Sequence, residues 1–201
     1  MLNRAVAIIE DEHRSLVAVG HGLHYVLETA HQGKRDPDFK LLWAMLYYLE
    51  MFPERLHHPK EDQYLFAMLR LRAPEADRVI AGLTREHLGD GALLVELTRL
   101  LGHFEAGVPG SYERLLGAVE RFSKLMQEHI EQEEKQVFPL ARAHLLPEDW
   151  VEIAEAFGEN GDPRFRGENR KELHEMFERI VNLAPPPIGV GPASTASTVR
   201  A

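Results

Sequence analysis

The sequence predicts an all-α protein whose main body is an antiparallel up-down four-helix bundle with additional short C-terminal helices. Proline and glycine are sparse before residue 158, and the segments between them are rich in Leu, Ala, Glu and Arg, which favour helix. Within these segments apolar residues recur at three- and four-residue steps, which is the spacing of one buried helix face. Four long helices joined by short loops are most simply arranged as such a bundle.

The predicted helices follow the positions of proline and glycine along the chain. The first covers residues 2–32, and the second covers residues 38–71, where Pro53 and Pro59 predict kinks. Ser111 is the expected N-cap of the fourth long helix. The remaining helices are expected at residues 74–106, 111–146, 147–157 and 168–183.

These elements divide the chain into three parts. We expect residues 1–158 to form the bundle and residues 159–183 to form a helical extension. Residues 184–201 begin with a run of prolines and continue with Gly, Ser, Thr and Ala, which leaves little to bury. This composition predicts a disordered tail.

The composition also excludes several classes of function. The chain has 23 Lys and Arg against 32 Asp and Glu, a net charge of −9, so it lacks the basic surface that a nucleic acid or an anionic membrane requires. The absence of Cys removes disulfides, thiol catalysis, iron–sulfur clusters and thiolate zinc sites. The longest apolar stretch, residues 41–49, is about half of the roughly 18 residues that span a bilayer. The first fifteen residues lack the core of a signal peptide, and we expect a cytoplasmic protein.

The chain has no Cys but 11 histidines, and four of these histidines fall on the apolar stripes of the four long helices. The four are His13, His57, His87 and His129. Glu61 follows His57 by four residues, and Glu133 has the same spacing from His129, so each pair shares one helix face. Six polar side chains buried in this way would cost several kcal/mol each if left without partners.

A metal centre explains this set, because neutral imidazole and ionised carboxylate are metal ligands. Four nitrogens and two carboxylates exceed the four-coordinate shell that is usual for one Zn²⁺, and they suit two ions. In that arrangement Glu61 and Glu133 bridge the ions and two His bind each. Positions then remain for an oxo or hydroxo bridge and for a small ligand. The donor set favours iron, with manganese or zinc as lesser options.

Other polar residues near the predicted ligands have different expected roles. His58, Glu12, Glu86 and Glu134 point about 100° away from the ligands, so they are expected to support them or to lie at the surface. His21, His24, His31, His103 and His174 lack an apolar stripe or a partner Glu and are expected to be solvated. Glu134 stands five residues after His129, so the choice between Glu133 and Glu134 stays open.

The motifs resemble those of the hemerythrin-like HHE cation-binding domain family. His13 lies in Glu-His-Arg, His57 and Glu61 in HHPKED, His87 in Arg-Glu-His, and His129 and Glu133 in HIEQEE. The resemblance covers about residues 2–158, including the LPEDW sequence that opens the fifth helix. It implies an up-down four-helix bundle and a non-haem diiron centre bridged by two carboxylates.

The sequence departs from the oxygen-carrying members of that family. Those carriers have a fifth His ligand one turn from the third-helix His, and an Asp five residues after the fourth-helix His. Here Leu83 and Gly91 stand one turn either side of His87, and the fourth helix offers Glu133. With four His in place of five, the resemblance implies a site that is more open to exchange or reaction.

Several functions stay open at this point. The first is a diiron protein that binds, senses, stores or scavenges O₂, NO or peroxide, with a homodimer as one assembly. The second is an enzyme that turns over peroxide or NO, which would need a proton donor. The candidate donors are Tyr25, Tyr47, Tyr48 and Tyr64.

Three further readings are less favoured. Iron–sulfur-repair members of the family carry an N-terminal segment with Cys, which this Cys-free chain lacks. A purely structural metal clamp would be expected to hold stable zinc. A ferritin-like site would show Glu-x-x-His, whereas this chain shows the reverse order.

Overall fold

The structure, a computed structural model, describes residues 2–33, 36–158 and 168–184, and every regular element in these ranges is helical. The all-α prediction is therefore confirmed. The helices are α1 (Leu2–His31), α2 (Phe39–Phe52), α3 (His58–Lys60), α4 (Ala67–Arg72), α5 (Asp77–Glu105), α6 (Ser111–Gln132), α7 (Phe138–His144), α8 (Pro147–Gly158) and α9 (Glu168–Leu183). The segment between the helices predicted at 147–157 and 168–183, and the predicted disordered tail, lie outside the described residues, apart from Gly158 and Ala184.

Short helical turns of other kinds connect some of these helices. A 3₁₀ turn, Pro74–Ala76, precedes α5. Three π-helical turns occur at Pro53–His57, Glu61–Phe66 and Glu133–Val137. Because they join one helix directly to the next, the predicted second helix is a continuous run from α2 to α4, and the predicted fourth is a continuous run from α6 to α7.

Two of the π turns lie next to prolines. One of them is in the second predicted helix, where Pro53 and Pro59 predict kinks, and the other is in the fourth, beside Pro139. Pro59 and Pro139 have no N–H, so the carbonyl four residues before each loses its α-helical partner. These carbonyls lie within the turns Pro53–His57 and Glu133–Val137. A π turn bonds one residue further along the chain than an α turn does. The prolines thus coincide with wider turns at His57 and Glu133 that do not end the helices.

The long helices contact one another in a closed order. Helix α1 packs against α2 and α6, and α5 packs against both α2 and α6. The side chains between them form two apolar clusters. The first apolar cluster includes Leu16, Leu23, Leu42, Leu49, Leu101 and Phe122. The second apolar cluster includes Ile9, Phe66, Leu69, Ile80, Phe138 and Phe157.

Each long helix crosses both clusters, and the order of crossing alternates along the chain. Helix α1 contributes first to the second cluster, at residues 5–9, and then to the first cluster, at residues 16–27. The run from α2 to α4 crosses them in the opposite order, α5 in the same order as α1, and the run from α6 to α7 in the opposite order again. The segments between the two crossings contain the predicted site residues.

An ion pair joins α4 to α8 at the outer end of the second cluster. Arg72 donates two hydrogen bonds to the Asp149 carboxylate, both of 3.0 Å. Asp149 also accepts from the backbone N–H of Leu146 at 2.8 Å, which satisfies one free donor at the start of α8. The Arg72 guanidinium holds the pKa of Asp149 below its usual range. Asp149 therefore fixes the LPEDW corner against α4, which directly follows the π turn that begins at Glu61.

We expect Asp149→Ala to lower the free energy of unfolding by about 1–3 kcal/mol, because it removes a helix cap and leaves Arg72 without its partner. Urea denaturation followed by circular dichroism measures this loss. Glu148→Ala, at an exposed position of the same helix, is the control and should change stability by less than about 0.5 kcal/mol. Equal stability of both variants would contradict this role of Asp149.

Two further features bear on the sequence predictions. Helix α9 occupies the predicted span and packs against α2, with Ile180 in the first apolar cluster.

Ser111, predicted as an N-cap, is instead the first residue of α6, and Gly110 is the N-cap with φ of 67°. This left-handed conformation suits glycine, which has no Cβ to clash, and that prediction was wrong. Within the described residues, no helix is long and apolar enough to cross a membrane.

Candidate metal centre

A single layer of polar side chains separates the two apolar clusters. The structure brings all six predicted site residues together in this layer, and none is more than 8% exposed. They are His13 from α1, His57 and Glu61 from the π turns after α2, His87 from α5, His129 from α6 and Glu133 from the π turn after α6. The layer thus gathers donors from all four segments that cross the core.

Each of the two carboxylates faces histidines on both of its sides. Glu61 Oε1 lies 3.3 Å from His57 Nε2 and 3.7 Å from His13 Nε2, and its Oε2 lies 3.6 Å from His87 Nε2. Glu133 Oε2 lies 3.1 Å from His13 Nε2, and its Oε1 lies 3.2 Å from His129 Nε2. The histidines therefore form two pairs, His13 with His57 and His87 with His129, and both carboxylates stand between the pairs.

These carboxylates are fully buried, yet their oxygens form no hydrogen bond with any described residue. All four oxygens of Glu61 and Glu133 share this condition, and so does His13 Nε2. The imidazole nitrogens that face them are close, but the geometry is not that of a hydrogen bond. Because burial of an unpartnered carboxylate is costly, the layer needs a compensating charge at its centre.

The outward nitrogen of each predicted histidine is held by an acidic side chain. Donation of the Nδ1–H in this way orients the ring and directs Nε2 to the interior, as is usual for metal-binding histidines. The pairs are His13 with Glu134 at 3.0 Å, His57 with Glu12 at 2.8 Å, His87 with Asp62 at 3.2 Å and His129 with Glu86 at 2.8 Å. Glu12, Glu86 and Glu134 thus contact predicted ligands, as supporting residues do.

Sequence reasoning missed Asp62. A signal for it was present, because Asp62 follows Glu61 directly, just as Glu134 follows Glu133. Each of these outer carboxylates lies five residues after the His of its own motif. Each of them accepts a hydrogen bond from a histidine of another helix, Asp62 from His87 and Glu134 from His13.

The structure also distinguishes Glu133 from Glu134. The Glu133 side chain is fully buried between His13 and His129, whereas the Glu134 side chain is 41% exposed and contacts His13 from outside. Glu133 is therefore the better placed of the two to bind an ion.

His58 differs from its expected position. The side chain is 8% exposed, and one of its nitrogens belongs to a group of four donors, with Glu61, His87 and His129, that lie within 4.8 Å of one another. Its ring stacks on that of His87, with centroids 3.9 Å apart and planes 9° apart. The π turns on both sides of His58 change the helical phase, so an angle of 100° from an ideal α-helix does not apply. In the sequence, the only indication of this buried position is that His58 lies between His57 and Pro59.

The surrounding charges set the protonation of the histidines in different ways. Burial lowers the pKa of His57, but the carboxylates of Glu61 and Glu12 outweigh it and raise the pKa to about 9. Burial likewise lowers the pKa of His129, and Glu133 with its neighbours raises it to about 10. Burial and the adjacent His87 lower the pKa of His58 to about 3. His58 is therefore a neutral imidazole, which is the form that binds a metal.

A cavity of about 300 Å³ adjoins the layer and is lined by His57, His58 and His129. Most of its remaining wall is apolar and comes from α1, α2, α5 and α6. The apolar lining includes Leu16, Leu49, Leu93, Phe122, Met126 and Ile130. Gly89 and Glu128 also line it and are exposed, so the cavity reaches the surface between α5 and α6. A small molecule thus has an apolar route to the layer.

Comparison with known proteins gives one match. The family model of the hemerythrin HHE cation-binding domain matches residues 4–141, which include His58 and all six predicted site residues. No curated protein and no solved structure matches the chain.

Proposed function

Because the chain belongs to the hemerythrin HHE cation-binding domain family, we propose that its polar layer holds two iron ions and binds a small ligand, namely O₂, NO or peroxide. The observation that carries this proposal is the position of Glu61 and Glu133, each with one oxygen toward either pair of histidines. Two groups of donors able to hold an ion occur in the layer, and Glu61 belongs to both.

In this proposal His13 and His57 bind one ion, His87 and His129 bind the other, and the two Glu side chains bridge them. Imidazole and carboxylate without thiolate favour iron over zinc, with manganese as a lesser option. When bound, the ions supply coordination positions for a small molecule and electrons for its reduction. The chain contributes the orientation of each imidazole through its outer carboxylate, and the two apolar clusters exclude water from the layer.

The bundle topology is part of the same proposal. The alternating order in which the four segments cross the two apolar clusters supports an antiparallel up-down arrangement over residues 1–158. Residues 159–183 then form an extension whose helix α9 adds to the first cluster. Such a bundle places the layer near the middle of each helix, where its frame is most rigid.

The four tyrosines predicted as proton donors bear on the choice between ligand binding and catalytic turnover. Turnover would need a proton donor, and among the described residues that line the cavity none of the four candidate tyrosines occurs. Tyr48 is buried beside Phe52, and burial raises its pKa far above the usual range. Tyr47 is exposed. The layer therefore has no evident tyrosine to deliver protons along the cavity.

Stopped-flow spectroscopy of the reduced, iron-loaded protein with O₂, NO and peroxide tests the proposed function. We expect a stable adduct with at least one of these ligands. Rapid consumption of the ligand without an adduct would favour the enzyme. No spectral change with any of the three would contradict the proposal.

Filling the cavity should slow entry of the ligand. We expect Leu93→Trp to lower the association rate several-fold while the iron content stays unchanged, because Leu93 lines the cavity and is not one of the predicted ligands. Val95→Trp is a matched control on the same helix, since Val95 is 68% exposed and does not line the cavity. Equal association rates in the two variants would show that ligands reach the layer by another route.

The two adjacent glutamates should differ in their effect on iron. We expect Glu133→Ala to abolish iron binding, because it removes a bridge and leaves two ions without a shared ligand. Glu134→Ala should keep both ions and weaken their retention about 10- to 100-fold, which is the range for loss of an outer partner of a ligand. Metal analysis after dialysis against a chelator separates the two outcomes. The reverse order would make Glu134 the ligand.

A further inference from the structure

We propose that the cavity beside the polar layer is a binding site in its own right, and that it takes a small organic cation. This ligand has one ammonium group on an apolar body of about six to nine non-hydrogen atoms. The inference goes beyond the proposed function, which uses the cavity only as a route for O₂, NO or peroxide. It assigns to the same space a ligand that does not bind iron.

The cavity is far larger than the molecules that the proposed function passes through it. Its volume is about 300 Å³. A water molecule, which is close in size to O₂ or NO, takes up about 30 Å³ in the liquid. An apolar cavity of about 150 Å³ holds benzene, and sites for small organic ligands begin at about 300 Å³. The space therefore suits an organic molecule somewhat larger than benzene.

The inner wall of the cavity is apolar and suits a hydrocarbon body. Leu49, Leu94 and Phe122 line it as buried side chains, and so does Leu16. Met126 adds a flexible thioether, which adapts to ligands of different shape. Contact with such a wall stabilises a ligand in proportion to the apolar area that it removes from water. The body of the ligand therefore lies among these side chains.

The mouth of the cavity is acidic. Three exposed glutamates line it, Glu54, Glu86 and Glu128, and no Lys or Arg occurs among the described residues that line the cavity. Glu86 accepts a hydrogen bond from His129. Glu128 lies 3.7 Å from Lys124, which does not line the cavity. The carboxylates of the mouth therefore favour a cation there and repel an anion.

Glu54 marks the place of the ammonium group, because an acceptor without a partner lies beside it. The Nδ1 of His58 is buried, forms no hydrogen bond with any described residue, and lies 3.9 Å from Glu54 Oε1. With the ring hydrogen on Nε2, both atoms accept, and an ammonium nitrogen at about 2.9 Å from each donates to both. The Glu54 side chain is 40% exposed, so a turn of its carboxylate uncovers Nδ1 to the cavity. The contact would offset the cost of a buried nitrogen without a partner.

A glycine leaves the mouth of the cavity open and provides a test. Gly89 lines the cavity, and a Cβ added there meets nothing within 4 Å. Gly91, two residues further along α5, has equally open surroundings but does not line the cavity. The chain thus offers the matched variants Gly89→Phe and Gly91→Phe, of which only the first places a ring at the mouth.

The first experiment titrates phenethylamine into the iron-loaded protein and follows the heat of binding by calorimetry. 2-Phenylethanol and 3-phenylpropanoate are the neutral and anionic probes of similar shape. We expect one amine per chain, bound at least about tenfold more tightly than either other probe, because hydrogen bonds to a charged group contribute that much. No saturable binding of the amine, or equal binding of all three probes, would overturn the inference.

The same titration at two pH values shows whether the amine binds as the ammonium ion or as a ligand of iron. We expect equal affinity at pH 7 and pH 8, because the amine is protonated at both. An amine on iron must first lose its proton, so it would bind about tenfold more tightly at the higher pH. That increase would overturn the inference.

Two pairs of variants locate the site. Gly89→Phe should weaken binding of the amine at least about tenfold, because its ring fills the mouth, whereas Gly91→Phe should bind it as the wild type does. Glu54→Gln should remove the preference for the amine over 2-phenylethanol. Glu50→Gln should keep that preference, since Glu50 is exposed one turn earlier and does not line the cavity.

Binding that is unchanged in both Gly89→Phe and Glu54→Gln would place the amine elsewhere and overturn the inference. None of these measurements uses O₂, NO or peroxide. A failure of the proposed function and a failure of this inference are therefore distinguishable.

Discussion

Replacing Glu61 by Gln is expected to reduce the iron content from about two ions per chain to nearly none. Glu61 is the residue common to both groups of donors, and its two oxygens face different pairs of histidines. The substitution keeps the shape of the side chain and removes its charge, so each ion loses both a bridge and half of the compensating negative charge. Metal analysis of the purified variant, with circular dichroism to confirm the fold, measures this effect.

The matched control for this substitution is Glu50→Gln. Glu50 is exposed on α2 of the same helical segment and is not one of the residues of the polar layer, so the variant should keep both ions. A Glu61→Gln protein that folds and retains both ions would show that Glu61 does not bridge them. Retention of one ion would show that Glu61 binds only one side.

Removal of iron is expected to lower the melting temperature of the wild-type protein by roughly 10 °C. An ion present at a thousand times its dissociation constant stabilises the native state by about 4 kcal/mol, and each kcal/mol corresponds to about 2–4 °C in a protein of this size. We expect the metal-free protein to remain folded, because Glu61 and Glu133 raise the pKa values of His57 and His129, and the protonated rings then place positive charge next to these carboxylates. Differential scanning calorimetry before and after chelation measures the shift.

Specificity of this effect is checked with the Glu61→Gln variant. Because it is expected to hold no iron, a chelator should leave its melting temperature unchanged. A wild-type protein whose melting temperature is also insensitive to chelation would mean that no tightly bound ion contributes to its stability.

Most of the site residues could be predicted from the sequence, because its apolar residues recur with the periodicity of an α-helix. His13, His87 and the two His-x-x-x-Glu pairs could be placed on buried faces from spacing alone. His58 could not, because the phase of the helix depends on π turns, and these change the direction of side chains by an amount that spacing does not reveal.

The same limit applies to Glu133 and Glu134. A residue four positions after His129 faces the interior in an α-helix, and one five positions after it is favoured only if the turn is wider. The π turn begins at Glu133 itself, so the chain is still α-helical up to that residue and directs it inward. Asp62 was missed for another reason, since its contact with His87 joins two segments that only the packed structure brings together.

The central claim is that the buried layer holds two iron ions. Metal analysis of the protein purified and loaded with iron without oxygen, combined with its near-ultraviolet spectrum after oxidation, tests this claim most directly. We expect about two iron atoms per chain and the absorption of a ferric pair. One zinc per chain, or no bound metal, would contradict it.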